Sequence, residues 1–284
     1  MTLATIVANV AAEAGYTVDT NIINSTEVTT KQLRTMVQRI NREMGEKYLW
    51  PILFASGSFT LTAGQATYQL PSAFSMYHYN SFWNSSTRWR VLGPMSEQEY
   101  AEIIGYGLNT TVYQRFQFRG LSSNQILISP TPTTSGDVII FEYIAERYAR
   151  PATWVTGTNY AANAYTFYNG NYYQTTSGGI SGATPPTHTS GSVSDGGVTW
   201  TYYSGAYPEF LADSDVSVFT EKTIEQGVLE RFAEIHGLTV VPKFELQMNE
   251  DFSKQNPGKI LYAGGFNRNL IFARDGVATF GTFI

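Results

Sequence analysis

The feature that most constrains the fold is an abrupt loss of charge in the middle of the chain. Asp195 is the only charged residue between residues 151 and 207, and neither Lys nor Arg occurs from Pro151 to Glu221. The same stretch is rich in Gly, Ser and Thr and dense in aromatic side chains, which flexible linkers lack. It therefore predicts a small inserted β module of roughly three or four strands, with tight turns at 169–171 and 195–197.

Helical periodicity marks the chain on both sides of this module. Apolar residues recur at helical spacing over 3–14 and over 30–48, where the stripe consists of Leu33, Met36, Val37, Ile40 and Met44. The spacing of Thr29 and Gln32 predicts the N-terminal cap of this second helix. On its opposite face, we expect the arginines to be free for solvent or a partner: Arg34, Arg39 and Arg42. Further helices are predicted over 95–105, between Thr220 and Gly237, and from about Pro242 onward.

Short runs rich in β-branched and aromatic residues predict strands between the helices. These runs cover residues 53–60, 66–70, 81–91, 113–119, 125–129 and 138–143. Gly57 lies inside the first run, where a glycine often marks a β-bulge. Helices and strands in separate stretches of the chain predict an α+β fold.

The charge balance limits the partners of this protein. Its net charge is −5, from 18 Lys and Arg against 23 Asp and Glu. A protein that binds nucleic acid by neutralising phosphates needs a basic face, so this balance argues against that class. With 19 Tyr and 17 Phe, the chain is too aromatic to be disordered as a whole.

Missing residue types and motifs exclude several chemistries. The chain has no Cys, which excludes disulfides, thiolate catalysis and Cys-ligated metals, and its three His residues lie far apart in sequence. It lacks glycine-rich phosphate loops, the nucleophile elbow, the zinc-protease helix and the EF-hand loop. We therefore predict a protein that is not an enzyme, with no catalytic residue, no metal and no cofactor.

Acidic residues are the remaining candidates for chemistry. Glu97, Glu99 and Glu102 have the spacing of a solvated helix face, and Asp213 and Asp215 are expected to precede or cap the helix at 220 rather than bind Ca²⁺. A pair of catalytic carboxylates from distant segments, as in glycosidases, stays open at this stage.

The sequence predicts neither a leader nor a membrane span. The first residues lack the basic segment of a secretory signal, and no run of about 18 apolar residues occurs. We expect a soluble protein that is made in a cytoplasm.

Several short motifs occur in an order that resembles a known family. They are Leu49-Trp50-Pro51, residues 64–74, 94–100 at the start of a helix, 125–132 before the strand 138–143, and 209–215 before the helix containing 228–232. This set resembles the head-to-tail adaptor proteins of short-tailed bacteriophages and covers residues 1–150 and about 208–262.

The resemblance implies both a fold and a function. The fold is a helical bundle packed with an antiparallel β-sandwich, built from residues 1–150 and 208–262, with 151–207 as an inserted all-β domain and 263–284 as an extended C-terminal tail. The function is structural, as a ring of twelve copies between the portal protein and the tail nozzle protein. The protein would then reside in the neck of the virion, after assembly in the host cytoplasm.

The inserted module resembles small modules of phage virion proteins and, loosely, chitin-binding carbohydrate modules. Its aromatic side chains are candidates for contact with a surface glycan or a partner: Trp154, Tyr172, Tyr173, Trp200 and Tyr202. The alternative is that these residues form the hydrophobic core of the module.

The C-terminal tail carries the candidate anchors for a partner. These are Arg268, Leu270, Ile271, Phe272, Arg274, Phe280 and Phe283. An exposed apolar tail favours aggregation, so we expect it to be buried against the portal or a neighbouring subunit, for instance by strand addition. A tail that folds back on its own β-domain is the alternative.

Two other functions compete with the adaptor. One is a virion-associated hydrolase of cell-wall glycans, with the module as its binding domain. The other is a receptor-binding or decoration protein that uses the module to bind glycans.

Overall fold

Helices and antiparallel sheets are both present, so the fold is α+β, as predicted. The computed structural model describes residues 1–107, 113–119, 124–237 and 242–256, together with the backbone of strands at 261–262, 270–274 and 277–281. The chain folds into two compact units. The helical unit comprises Met1–Ile52, Arg147–Tyr203 and Tyr207–Ile284, and the sandwich unit comprises Leu53–Glu146 and Ser204–Ala206.

The described helices lie close to the predicted positions. They are α1 (Leu3–Ala14), α2 (Val28–Lys47), α3 (Glu97–Gly105), α4 (Glu221–Ile235) and α5 (Phe244–Gln255). The first begins at Thr2, whose side chain accepts a hydrogen bond from the Thr5 N–H, and ends at Gly15, whose φ of 79° suits a glycine. Ser96 and Glu99 form the predicted capping box of α3.

The buried face of α2 is the predicted apolar stripe, but its cap differs from the prediction. Glu27 caps the helix, since its carboxylate accepts hydrogen bonds from the backbone N–H groups of Thr29 and Thr30. The cap predicted at Thr29 is therefore wrong, because the helix begins one residue earlier, at Val28.

The four described helices of the helical unit pack against one another. Helix α2 packs on α1 and α4, and α4 packs on α5. Gly227 allows α4 to approach closely, because a Cβ there would lie 2.7 Å from the Phe244 ring and 3.0 Å from Cγ2 of Ile40. Trp50 closes one end of this core between Phe219 and Phe252, at ring-centroid distances of 5.2 and 5.4 Å.

Two antiparallel sheets form the sandwich unit. Its strands are β1 (Phe54–Thr60), β2 (Thr67–Gln69), β3 (Phe74–Tyr77), β4 (Trp83–Asn84), β5 (Trp89–Arg90), β6 (Arg115–Arg119), β7 (Gln125–Ser129) and β8 (Val138–Ala145). One sheet has the order β1-β8-β4-β5, with β3 also on β8, and the other has the order β2-β7-β6. Phe82 stacks on Phe116 and Phe141 in the core between them, at centroid distances of 4.4 and 4.7 Å.

Two predictions about these strands are wrong. Residues 81–91 form a pair of short strands, because Oδ1 of Asn84 accepts hydrogen bonds from the N–H groups of Ser86 and Thr87 and turns the chain. Gly57 does not mark a bulge, since β1 pairs with β8 without a break. A glycine is required there because a Cβ would lie 2.5 Å from the Phe141 ring.

The module and its surroundings contain eight short strands, which belong to the helical unit. They are β9 (Ala149–Arg150), β10 (Asn159–Tyr160), β11 (Tyr165–Tyr168), β12 (Asn171–Ser177), β13 (Gly179–Ile180), β14 (Ser192–Asp195), β15 (Val198–Tyr203) and β16 (Val216–Ser217). The main sheet has the order β11-β12-β15-β14, and β10 pairs with β13 and β9 with β16. The predicted turn between β11 and β12 has positive φ at Asn169 and Gly170, as a tight hairpin requires.

The described part of the C-terminal segment is an antiparallel sheet of β17 (Leu261–Tyr262), β18 (Leu270–Arg274) and β19 (Val277–Gly281). In this sheet, Ile271 lies opposite Phe280 and Arg274 opposite Val277.

Candidate interaction surfaces

The motif at 209–215 ties distant parts of the helical unit together. The Asp213 carboxylate accepts hydrogen bonds from the N–H groups of Ile22 and Ile23, at 3.1 and 2.8 Å. The carbonyl oxygens of Asp213 and Asp215 accept from the first turn of α1, at distances of 3.1 and 2.8 Å. Asp213 therefore has a structural role in holding the segment that precedes α2.

Asp215 is buried, and its hydrogen bonds are made within the protein. Its Oδ2 accepts from the Tyr207 hydroxyl at 2.8 Å and from the N–H groups of Leu211 and Ala212 at 2.7 and 2.9 Å. Burial raises the pKa of Asp215, although these hydrogen bonds oppose the shift. Burial and the nearby Asp215 carboxylate raise the pKa of Tyr207 as well. Among the described residues, no cluster of three or more His, Asp or Glu side chains could hold a metal ion.

The centre of the module is built around Tyr173 and Trp200, which are fully buried together with Val198. Asp195, the single charged residue of the module, is buried beside them. Its Oδ2 accepts hydrogen bonds from the indole N–H groups of Trp154 and Trp200, at 3.2 and 3.4 Å. This carboxylate therefore orients two tryptophans, which is a packing role.

Tyr172 joins the module to the rest of the helical unit. Its hydroxyl donates to the carbonyl oxygen of Ala149 at 3.1 Å, and the Arg147 guanidinium lies 4.7 Å from its ring centroid. Burial raises the pKa of Tyr172 to about 12. A sugar ring stacks on an exposed aromatic face. Within the predicted set, the partly exposed Trp154 and Tyr202 are thus the residues with surface for a glycan.

Most of the charged side chains on α2 pair with neighbouring elements. Arg42 forms an ion pair with Glu209, and Arg34 donates to the carbonyl oxygens of Ile22 and Ile23. The expectation that these two arginines are free is therefore wrong. Arg39 is exposed, and no partner for it occurs in the described part of the chain.

The predicted anchors of the C-terminal segment fall on two adjacent strands. Leu270, Ile271, Phe272 and Arg274 lie on β18, and Phe280 lies on β19. Arg268 and Phe283 are outside the described residues.

An exposed apolar face on the sandwich unit was missed by sequence reasoning. The sheet that contains β1 and β8 exposes 49% of Met76, 44% of Trp83 and 44% of Ile140, and the turn after β3 exposes 68% of Tyr79. Part of this face is an open groove of about 630 Å³. Its lining includes Ser58, Tyr79, Trp83, Ile140 and Glu142. The mostly apolar run of β8 predicts a strand buried on both faces. Ile139 and Phe141 are buried, but Ile140 and Glu142 are exposed, so the other face is open around these two residues.

Residues 1–173 match the model of the SU10 adaptor protein family. The chain belongs to this family. The matched residues span α1, α2, the sandwich unit up to Glu146, and the module as far as the start of β12. No curated protein matches the chain.

Membership of the family makes this protein a structural adaptor of a bacteriophage and a component of the virion that contacts other virion proteins. The predicted resemblance to phage adaptors is thereby confirmed. Assignment to short-tailed phages and the likeness of the module to carbohydrate-binding modules remain predictions. Among the described residues, none of the helices combines the length and apolar character needed to cross a lipid bilayer.

Proposed function

We propose that this adaptor forms a ring that connects the portal protein to the tail of its phage, with the C-terminal segment as an anchor. The family match over residues 1–173 carries the adaptor part of this proposal, and the apolar residues between Leu270 and Ile284 support the anchor. The ring has twelve copies, binds the tail nozzle protein on its other side, and lies in the neck of the virion after assembly in the host cytoplasm. Its role is structural rather than enzymatic.

The described surface supports an assembling subunit. Large exposed aromatic and apolar side chains in one patch are typical of protein–protein contacts. Here Met76, Trp83 and Ile140 lie on one sheet face, and Tyr79 in the turn after β3 lines the same groove as Trp83 and Ile140. The carboxylates most deeply embedded in the fold, Asp195 and Asp215, are engaged in hydrogen bonds that organise the fold.

The module contributes a contact surface in this proposal, since Asp195, its single charged residue, is buried and the rest of its sequence is uncharged. A glycan-binding role would depend on Trp154 and Tyr202, because Tyr173 and Trp200 are enclosed in the core.

The C-terminal anchor is tested by truncation after Gly265. We expect the truncated protein to keep its thermal midpoint but to lose ring formation and capture by immobilised portal protein. The reason is that the anchors Leu270, Ile271, Phe272 and Phe280 are removed. The measurements are thermal unfolding, negative-stain imaging and a pull-down.

A matched pair of full-length variants controls for the loss of chain length. Phe272→Asp should weaken assembly, whereas Val155→Asp changes a side chain that is 54% exposed on the module and should leave assembly intact. The anchor is disproved if the truncated protein forms rings and binds portal like the full chain. A collapse of the thermal midpoint would instead assign the segment to the protein's own core.

A further inference from the structure

Strand β1 lies at the edge of its sheet. It pairs with β8 along its whole length, from Phe54 opposite Ile144 to Thr60 opposite Val138. In the part of the chain that the structure describes, no strand pairs with its other side. Its seven residues, FASGSFT, include neither a charge nor a proline, the features that commonly protect a long edge from pairing with another chain.

The exposed apolar groove lies beside this edge. Ser58 of β1 is opposite Ile140 of β8, and Ile140 is in turn opposite Trp83 of β4. All three side chains are exposed on the same face of the sheet. A segment added to β1 would therefore place alternate side chains next to this groove, as in recognition by strand addition.

A second edge without a described partner lies in the C-terminal sheet. Strand β19 is the last strand of the C-terminal sheet and pairs with β18 on one side. It contains five residues, Val277–Gly281, and no charged residue occurs from Val277 to Ile284. Both edges lack charged residues, so pairing the five residues of β19 with part of the seven-residue β1 would not bury a charge. Among the described strands, no pairing joins β1 to β19.

We propose that β19 of one copy adds to the open edge of β1 in a neighbouring copy. This inference rests on the proposed ring, because it requires subunits side by side. Each copy then donates one strand and accepts one, which is the head-to-tail contact that closes into a ring, whereas pairing of two β1 edges would stop at a dimer.

Crosslinking between two differently tagged proteins tests this contact. The chain contains no cysteine, so single cysteines can be introduced by Ser58→Cys in one protein and Thr279→Cys in the other. After assembly on portal and treatment with a short bismaleimide, any product that carries both tags joins two copies. The matched control is Ser194→Cys on β14, an exposed serine on the edge strand of the module sheet.

We expect at least a tenfold excess of the Ser58–Thr279 product over the Ser194–Thr279 product. In addition, Ser58→Lys should prevent this contact without changing the thermal midpoint, because a lysine on an edge strand blocks pairing with another strand. Ser194→Lys should leave the contact intact.

Rings without preferential crosslinking would overturn the inference and leave the proposed ring intact. Crosslinking of Ser58→Cys to portal would also overturn it, since portal would then occupy the edge. If no ring forms on portal, both the ring and this contact are wrong.

Discussion

At the scale of single residues, buried carboxylates organise this fold. A carboxylate that leaves water loses solvation and must regain hydrogen bonds from the protein. Asp215 does so with one hydroxyl and two backbone N–H groups, and Asp195 does so with two indole N–H groups. Each therefore fixes the position of aromatic side chains that come from other turns of the chain.

The fold should tolerate an amide in place of the Asp215 carboxylate but should lose stability when a methyl group replaces it. Asp215→Ala leaves three donors without their acceptor and should lower the free energy of unfolding by about 2–4 kcal/mol. Asp215→Asn retains an acceptor oxygen and removes a buried charge, so it should be much closer to the parent. Urea unfolding at pH 7 measures both variants. Equal stability of the Ala and Asn variants would contradict this role.

The pH dependence of Asp215 has a definite sign. Its pKa is raised above the ordinary value of 3.8, so the folded state binds its proton more tightly than the unfolded state does. Its contribution to stability therefore increases as the pH falls through the folded pKa. The Asn variant lacks this contribution.

The sequence could not reveal these roles, although it locates the residues. The sequence pattern predicts that Asp213 and Asp215 precede or cap a helix. Their partners, however, include Ile22 and Ile23 near the start of the chain. A local sequence pattern contains no information about a hydrogen-bond partner that lies about 190 residues away in the chain.

At the scale of elements, periodicity predicted more than local capping rules did. The stripe of α2 is buried as expected, because a helix with one apolar face has one way to bury it. The cap was missed, since glutamate is not among the preferred capping residues. Residues 81–91 were predicted as one strand because their composition favours β structure, whereas the side chain of Asn84 turns the chain.

The cap at Glu27 predicts an acid-dependent loss of helix stability. Hydrogen bonds from the side chain and the N–H of Thr30 and from the N–H of Thr29 lower the pKa of Glu27 from 4.5 to about 2. A lowered pKa gives stability that is present above the unfolded value and is lost as the pH falls through the folded one. Glu27→Gln should therefore lower the thermal midpoint above pH 5, and the difference from the parent should shrink toward pH 2.

The control for this experiment is Glu46→Gln, which changes an exposed glutamate on the same helix. Thermal unfolding followed by circular dichroism between pH 2 and pH 6 compares the three proteins. A constant difference between parent and Glu27→Gln across that range would show that the carboxylate does not act as the cap.

At the scale of the whole molecule, composition located the module, and contacts show how it is attached. The abrupt loss of charge after Pro151 identified a stretch with its own small core around Tyr173 and Trp200. Composition could not show that this stretch belongs to the same compact unit as the helices. That assignment depends on contacts such as the hydrogen bond from Tyr172 to Ala149, which joins residues distant in sequence.

The module should be removable without loss of the remaining fold. The chain enters and leaves it at neighbouring points, because the Ala149 N–H donates to the carbonyl oxygen of Tyr207 at 3.1 Å. A short Gly/Ser linker in place of residues 152–203 can therefore close the gap at a small entropic cost. Residues 204–206 are retained, since they belong to the sandwich unit.

We expect a soluble protein that keeps the helical circular dichroism signal but has a lower thermal midpoint, because Tyr207 loses its packing against Tyr165 and Tyr172. A full-length Tyr172→Phe variant, which removes only the hydrogen bond to Ala149, measures how much of that decrease comes from the attachment itself. Loss of folded protein in the linker variant would show that the module is an integral part of the helical core.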